Sequence, residues 1–202
     1  MAFVIAQNGN GSTTVAATMY LANLAGIKIF VTGGIGGVHR GAEQTFDISA
    51  DLTELSRTPV SVICAGVKSI LDIPKTLEFL ETMGVPVVSY RTEWFPDFFT
   101  SNSGIKSVFR ADSPEECAGI ILGNEILKLK NGIIFAVPVP SDKEANQENI
   151  QAAISKALKE ADDKGVKGAL ITPFLLKRVN ELTGGESSAS SKLTGLKQCY
   201  RC

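Results

Sequence analysis

The segment IKIFV (residues 27–31), followed at once by TGGIGGVHRG (32–41), decides the fold class of this chain. The first part is a short apolar, β-branched run, typical of a buried strand, and the second is the most glycine-dense stretch of the sequence. Ligands of α/β proteins collect where strands end and helices begin. The sequence therefore predicts an α/β protein with a functional loop directly after this strand.

Strands and helices alternate along the rest of the chain. Further strands are predicted over 59–65, 85–90 and 133–137, and helices over 14–25, 69–83, 114–130, 147–164 and 173–182. Ser113 and Glu116 form a capping box, Thr172 is the expected cap of the last helix, and Pro74 is expected to kink or restart the second. This alternation predicts a three-layer αβα architecture with a mainly parallel sheet.

The segment TFDISADL (45–52) alternates strictly between apolar and polar residues, which predicts a strand with one buried face. Asp47, Ser49 and Asp51 share the polar face. Asp51 and Glu54 match a capping box, so a short helix is expected to start at Asp51.

Composition and net charge exclude several classes of function. The chain has 202 residues and a formal net charge of -1, which predicts one compact domain without a basic surface for nucleic acid or for an anionic membrane. No apolar run reaches the roughly 18 residues of a spanning helix, and the first residues lack the features of a secretory signal. A cytoplasmic location is expected, with an organelle as the alternative.

The four cysteines predict no metal or redox site. Cys64 and Cys117 lie in apolar segments, where buried thiols are expected. Cys199 and Cys202 form a C-x-x-C pair without the further ligands of a zinc site or the strand and helix of a redox motif.

Three segments could carry chemistry. The glycine loop matches neither a P-loop nor a dinucleotide fingerprint, so it either cradles a phosphate with its backbone N–H groups or forms a set of tight turns. Asp47 could hold Mg²⁺ or Mn²⁺ together with water molecules, or could face solvent. Lys68 follows an apolar strand and Gly66, a position where an amine can become a nucleophile, although most lysines are surface residues. His39 is expected to form a hydrogen bond beside the glycine loop.

Taken together and in this order, these segments resemble the pseudouridine-5'-phosphate glycosidases, the indigoidine synthase A family. The resemblance rests on TTVAATM (13–19), TGGIGGVHRG (32–41), TFDISADL (45–52) and CAGVKSILDIP (64–74), and it extends through TPFLL (172–176) and ELTGG (181–185). It covers the chain from about Gly11 to Ser187.

The resemblance implies an α/β homotrimer that reversibly cleaves pseudouridine 5'-phosphate to uracil and ribose 5-phosphate in nucleotide catabolism. It implies that Lys68 forms a Schiff base with C1 of the opened ribose and that Asp47 holds a divalent cation, typically Mn²⁺. It also implies a substrate-binding set, with His39 lining the same pocket; that set is Val15, Ser49, Ala50 and Asp51.

Two departures from the family pattern lead to a further expectation. Members of the family carry a glutamate proton donor and a second lysine before TTVAATM, and a functional asparagine where Ser191 stands here. We therefore expect a partial family domain over 1–187, a tail over 188–202 without folded structure, and little turnover by the chain alone, since loss of general-acid help costs about 10²–10⁴-fold in rate.

Two other functions stay open at this stage. The chain could be a catalytically incomplete isoform that binds a sugar phosphate or joins a full-length oligomer. It could also be a different Schiff-base enzyme, such as an aldolase acting on a sugar phosphate, which would release an aldehyde and no uracil.

Overall fold

A computed structural model describes residues 1–141 and 144–185, and its centre is a five-stranded parallel sheet. The strands are β1 Ile29–Val31, β2 Ser61–Cys64, β3 Val87–Tyr90, β4 Phe109–Ala111 and β5 Ile133–Ala136. Their order across the sheet is β1-β2-β5-β3-β4. The register pairs Phe30 with Val62, Ile63 with Phe135, and Val88 with Phe135. The predicted α/β fold with a parallel sheet is confirmed.

Eight α-helices accompany these strands in the described part of the chain. They are α1 Ala2–Ala6, α2 Val15–Leu24, α3 Ala42–Thr45, α4 Ala50–Leu55, α5 Ile73–Thr82, α6 Pro114–Ile126, α7 Gln147–Asp163 and α8 Ile171–Leu182. A 3₁₀ turn, Gly168–Leu170, precedes α8. None of the helices in residues 1–141 and 144–185 has the length and apolarity that crossing a bilayer requires.

Helices cover both faces of the sheet. Alternate strand residues point to opposite faces, so each face presents apolar side chains that must be buried. Val62 and Ile134 belong to a large core that includes side chains of α2, α4, α5, α7 and α8. Ile63 and Phe135 belong to a smaller core, which is completed by side chains of α6. The three layers are therefore unequal, and within residues 1–141 and 144–185 α6 is the helix that packs on the second face.

Side-chain caps define where several helices begin. Thr14 accepts a hydrogen bond from Ala17 N at the start of α2, and Ser113 accepts one from Glu116 N at the start of α6. The predicted helix over 69–83 begins later, because Asp72 is its N-cap and accepts a hydrogen bond from Lys75 N. Pro74 therefore lies in the first turn of α5, where its missing N–H costs nothing, and it causes no kink.

The predicted strand over 45–52 is wrong. α3 ends at Thr45, Phe46 adopts a left-handed conformation with φ 54° and is 83% exposed, and α4 begins at Ala50. Only Ile48 forms a bridge, an antiparallel one to Val38. The alternating pattern suggested a strand with a polar face, but two of its polar residues, Asp47 and Asp51, make specific contacts within the protein instead.

Two predicted caps are also wrong. Ser49, and not Asp51, is the N-cap of α4, and its Oγ accepts a hydrogen bond from Asp51 N. Thr172 lies inside α8, which already begins at Ile171 because the 3₁₀ turn leads directly into it. The side chains of Asp51 and Thr172 do not cap these helices and can contact other parts of the fold.

The loop that follows β2 depends on Gly66. This residue has φ +97°, and a Cβ at this position would collide with the backbone oxygen of Pro96. A Gly66→Ala substitution should lower the free energy of unfolding by about 2–4 kcal/mol, from backbone strain and overpacking together.

Gly119 provides the matched control, because it lies within α6 and a Cβ there would meet nothing within 4 Å. Gly119→Ala should raise the free energy of unfolding by about 0.5–1 kcal/mol. Urea unfolding of both variants measures the difference, and equal effects would contradict this account of Gly66.

Candidate functional site

The candidate site lies at the carboxyl edge of β1 and β2, where two loops run side by side. Ala65 N donates to Gly33 O at 2.9 Å, Ile35 N donates to Gly66 O at 3.1 Å, and Lys68 N donates to Ile35 O at 3.2 Å. These backbone bonds continue the parallel pairing of the strands beyond their ends. They hold Lys68 against the glycine loop.

The glycine loop packs tightly against side chains. A Cβ on Gly34 would collide with the ring of Phe98, and one on Gly37 would collide with Thr76. Val38 N donates to Thr76 Oγ1 at 2.9 Å. Because several of its N–H groups already have partners within the protein, these contacts favour tight turns over a phosphate cradle.

The Asp51 carboxylate connects three segments. It is 4% exposed, Oδ1 accepts a hydrogen bond from Ala16 N at 2.9 Å, and Oδ2 accepts one from Gly36 N at 2.8 Å. The first turn of α2, the glycine loop and α4 therefore meet at one side chain. A Cβ on Gly36 would collide with Ser49 Oγ and approach Asp51 Oδ2 to 2.8 Å, so the loop needs glycine there.

His39, Asp47 and Lys68 form the polar centre of the site. His39 Nδ1 lies 3.8 Å from Asp47 Oδ2, and His39 N donates to Asp47 O at 3.0 Å. Lys68 is half-buried and lies near enough for its charge to act on the imidazole. The structure thus brings together the predicted nucleophile, the predicted metal ligand and the histidine.

Burial lowers the pKa of His39 below its usual 6.5, and the charge of Lys68 lowers it further, while Asp47 opposes both. The imidazole is therefore uncharged at neutral pH. Its Nε2 lies 3.4 Å from Thr172 Oγ1 on α8. The sequence predicts a capping role for Thr172, and the spacing of 133 residues along the chain leaves no local signal for its contact with His39.

The predicted substrate-binding residues form a second group. Val15 is the buried first residue of α2, Ala50 is the exposed first residue of α4, and half-buried Ser49 lies between α4 and the glycine loop. Asp51 ties these residues together through Ala16 N and Gly36 N. Ser191, Cys199 and Cys202 lie outside the described residues.

Asp47 is the one predicted metal ligand, and its carboxylate is 34% exposed. Among the described residues no three His, Cys, Asp or Glu side chains are grouped in a way that could hold a metal ion. A single accessible carboxylate fits a hydrated divalent cation that keeps most of its water ligands, since Mg²⁺ and Mn²⁺ prefer oxygen. It does not fit zinc, which takes several protein ligands.

A family model described as "Indigoidine synthase A like protein" matches residues 1–194. The pseudouridine-5'-phosphate glycosidase of Caldanaerobacter subterraneus subsp. tengcongensis is 55% identical over 184 residues, which are 91% of this chain and 60% of that protein. The enzyme of the same name from Arabidopsis thaliana is 55% identical over 191 residues, 95% of this chain and 58% of that protein. The chain thus spans about 60% of the length of these relatives.

Two solved structures share the fold. The prealnumycin C-glycosynthase AlnA, solved in complex with ribulose 5-phosphate, is 34% identical with a TM-score of 0.91, covering 99% of this chain and 66% of that one. An indigoidine synthase A-like protein from Thermotoga maritima is 37% identical with a TM-score of 0.87, covering 98% and 65%.

Removal of the Asp51 carboxylate should destabilise the protein. Asp51→Ala leaves the buried N–H of Gly36 and the partly buried N–H of Ala16 without an acceptor, which should lower the free energy of unfolding by about 2–4 kcal/mol. Thr53→Ala, at an exposed position of α4, is the control and should stay within about 0.5 kcal/mol. Urea unfolding measures both; an Asp51→Ala variant as stable as the control would contradict the bridging role.

Because His39, Asp47 and Lys68 lie close together, removal of the charge of Asp47 and removal of the charge of Lys68 should shift the pKa of His39 in opposite directions. His39 is the only histidine, so NMR of its ring in metal-free buffer should give a midpoint below 6.5. Asp47→Asn should lower this midpoint further, and Lys68→Met should raise it. A midpoint that moves with neither variant would show that the three side chains are not neighbours.

The same lowered pKa makes stability depend on pH. The unfolded chain takes up a proton on this histidine near pH 6.5, before the folded protein does, so the contribution of His39 is present above that pH and is lost as the pH falls toward the folded pKa. The difference in unfolding free energy between the wild type and His39→Gln should therefore decrease from pH 7.5 to pH 5.5. A difference that increases over this range would contradict the lowered pKa.

Proposed function

The chain belongs to the indigoidine synthase A-like family, and we propose that it carries the lysine-centred site of a pseudouridine-5'-phosphate glycosidase. The proposal rests above all on the position of Lys68, beside His39 and Asp47 at the carboxyl edge of the sheet. The 55% identity to enzymes of that name supports it.

Lys68 is suited to act as a nucleophile. It follows the fully buried strand β2, and its half-buried side chain lies beside an uncharged imidazole. A lysine amine must lose its proton before it can attack carbon. We assign the role of proton acceptor to the neighbouring imidazole of His39, which is unprotonated at neutral pH.

The proposed reaction is the reversible cleavage of the C–C bond between ribose and uracil. The uncharged Lys68 amine attacks C1 of the ribose, the bond from C1 to the ring oxygen breaks, and the oxygen takes up a proton while the nitrogen gives one up. The nitrogen lone pair then forms a C=N bond as the bond to uracil breaks, and the uracil carbon takes up a proton. Water hydrolyses the iminium, which frees the lysine and leaves ribose 5-phosphate.

Asp47 and the α4 segment complete the proposed site. Asp47 would hold Mn²⁺ or another divalent cation, which would supply positive charge to the oxygens of the substrate. The set Val15, Ser49, Ala50 and Asp51 would contact the substrate, and the Asp51 bridge would fix the position of the set. The homotrimer and a role in nucleotide catabolism stay predictions.

Borohydride trapping tests the proposed nucleophile. The full chain is incubated with ribose 5-phosphate and Mn²⁺, reduced, digested and analysed by mass spectrometry. We expect a pentose-phosphate adduct on Lys68 that is lost in Lys68→Ala and also in Lys68→Arg, which keeps the charge but cannot form the imine. Lys156→Ala, at an exposed position on α7, should keep the adduct on Lys68.

Uracil release from pseudouridine 5'-phosphate separates the functions that the sequence left open. Uracil formation that is lost in Lys68→Ala supports the glycosidase. An adduct on Lys68 without uracil release identifies a site that binds and activates the sugar but does not complete the reaction. Absence of any adduct, while a longer relative is labelled in parallel, contradicts the proposal.

A further inference from the structure

A polar cavity lies next to the loop that carries Lys68. Its volume is about 470 Å³, within the size range of small-molecule sites. Its polar lining comes from Arg40, Ser69, Asp72, Asp97, Ser103 and Gln151. None of these residues has a role in the function proposed above.

The buried carboxyl of Asp97 faces this cavity with one oxygen unused. Asp97 is 4% exposed, and its Oδ2 accepts a hydrogen bond from Gln151 Nε2 at 3.2 Å. Its Oδ1 is buried, and no residue of the described chain donates to it. Burial raises the pKa of Asp97 to about 6, while the Ser69 hydroxyl, the charge of Arg40 and the Gln151 amide act in the opposite direction, so the group is mainly ionised above that pH. A buried, ionised oxygen without a donor is costly, and a bound donor would relieve that cost.

The Arg40 guanidinium also lines the cavity, and its positive charge acts on the carboxylates of Asp72 and Asp97. It donates one hydrogen bond, from Nη2 to Ser69 O at 3.3 Å, and no carboxylate in the described part of the chain lies within ion-pairing distance of it. The nearby Asp72 carboxylate is already paired with Lys75 Nζ at 3.0 Å. A guanidinium has five N–H groups in a planar fork that fits phosphate, so Arg40 has donors to spare.

The cavity and the lysine site are formed by the same two segments of the chain, 39–40 and 68–69. His39 and Lys68 act on each other at the lysine site, whereas the residues that follow them, Arg40 and Ser69, meet at the cavity. Lys68 is absent from the lining of the cavity. A ligand in the cavity would therefore bind apart from the substrate of the lysine site.

The two unused groups define the ligand. Asp97 Oδ1 requires a hydroxyl or N–H donor, and Arg40 requires an anion, which it binds best in the bidentate manner of phosphate. The first turn of α5, at Ile73 and Pro74, adds the positive end of a helix at the same wall. We propose that this cavity binds a phosphorylated polyol, with its phosphate on Arg40 and a hydroxyl group donated to Asp97 Oδ1.

Ribitol 5-phosphate is the probe, because it has no carbonyl carbon that Lys68 could attack. It is titrated at pH 7.5 into the isotope-labelled full chain carrying Lys68→Ala. The side-chain amide of Gln151, which donates to Asp97, reports on the cavity by NMR, and the ring of His39 reports on the lysine site. We expect the Gln151 amide to shift on saturation.

Variants of the two anchors decide the assignment. Arg40→Ala and Asp97→Asn should each weaken binding at least about tenfold, because each removes a charge-assisted hydrogen bond. Arg110→Ala, an exposed arginine on β4, should leave binding unchanged. Arg40 is itself exposed, and thermal unfolding checks that Arg40→Ala is folded.

Several results would overturn the proposal. These are an unmoved Gln151 amide, unchanged affinity in either anchor variant, or binding of inorganic phosphate, ribitol or gluconate as tight as that of ribitol 5-phosphate. Failure here is independent of the borohydride experiment, since the probe cannot form an imine and the reporter lies outside the lysine site.

Discussion

The buried Asp51 carboxylate is the interaction on which the rest of the site depends. One oxygen receives Ala16 N at the start of α2, and the other receives Gly36 N in the glycine loop. A buried carboxylate is stable only when such donors surround it, and the donors in turn need a buried acceptor. The glycine loop thereby takes one conformation, and the backbone bond from Lys68 N to Ile35 O transmits that conformation to the loop of Lys68.

One pair of loops carries residues of both the lysine site and the cavity of Asp97. Both loops leave the carboxyl ends of neighbouring strands, and backbone hydrogen bonds hold them side by side. His39 and Lys68 reach the site that we assign to the glycosidase, while Arg40 and Ser69 reach the cavity that contains Asp97.

The charges around His39 and around Asp97 are balanced in opposite ways. Burial and the charge of Lys68 keep the imidazole of His39 uncharged, so a cation and a proton acceptor lie together without repulsion. Burial also favours the protonated form of Asp97, but Ser69, Arg40 and Gln151 act against it. In both places the low polarity of the interior sets the direction, and a few neighbouring groups set how far the shift goes.

The sequence alone determined the features that arise from neighbours along the chain: the α/β alternation, the caps at Thr14 and Ser113, and the strand before the glycine loop. It also picked out Lys68, Asp47 and His39 as residues of interest. It predicted wrongly a strand over 45–52, where the pattern alternates, and helix caps at Asp51 and Thr172. Only the tertiary structure decided that Asp51 reaches Ala16 N, that Thr172 approaches His39 and that Asp97 faces a cavity, because these contacts join residues far apart in sequence and burial alone determines which polar atoms need a partner.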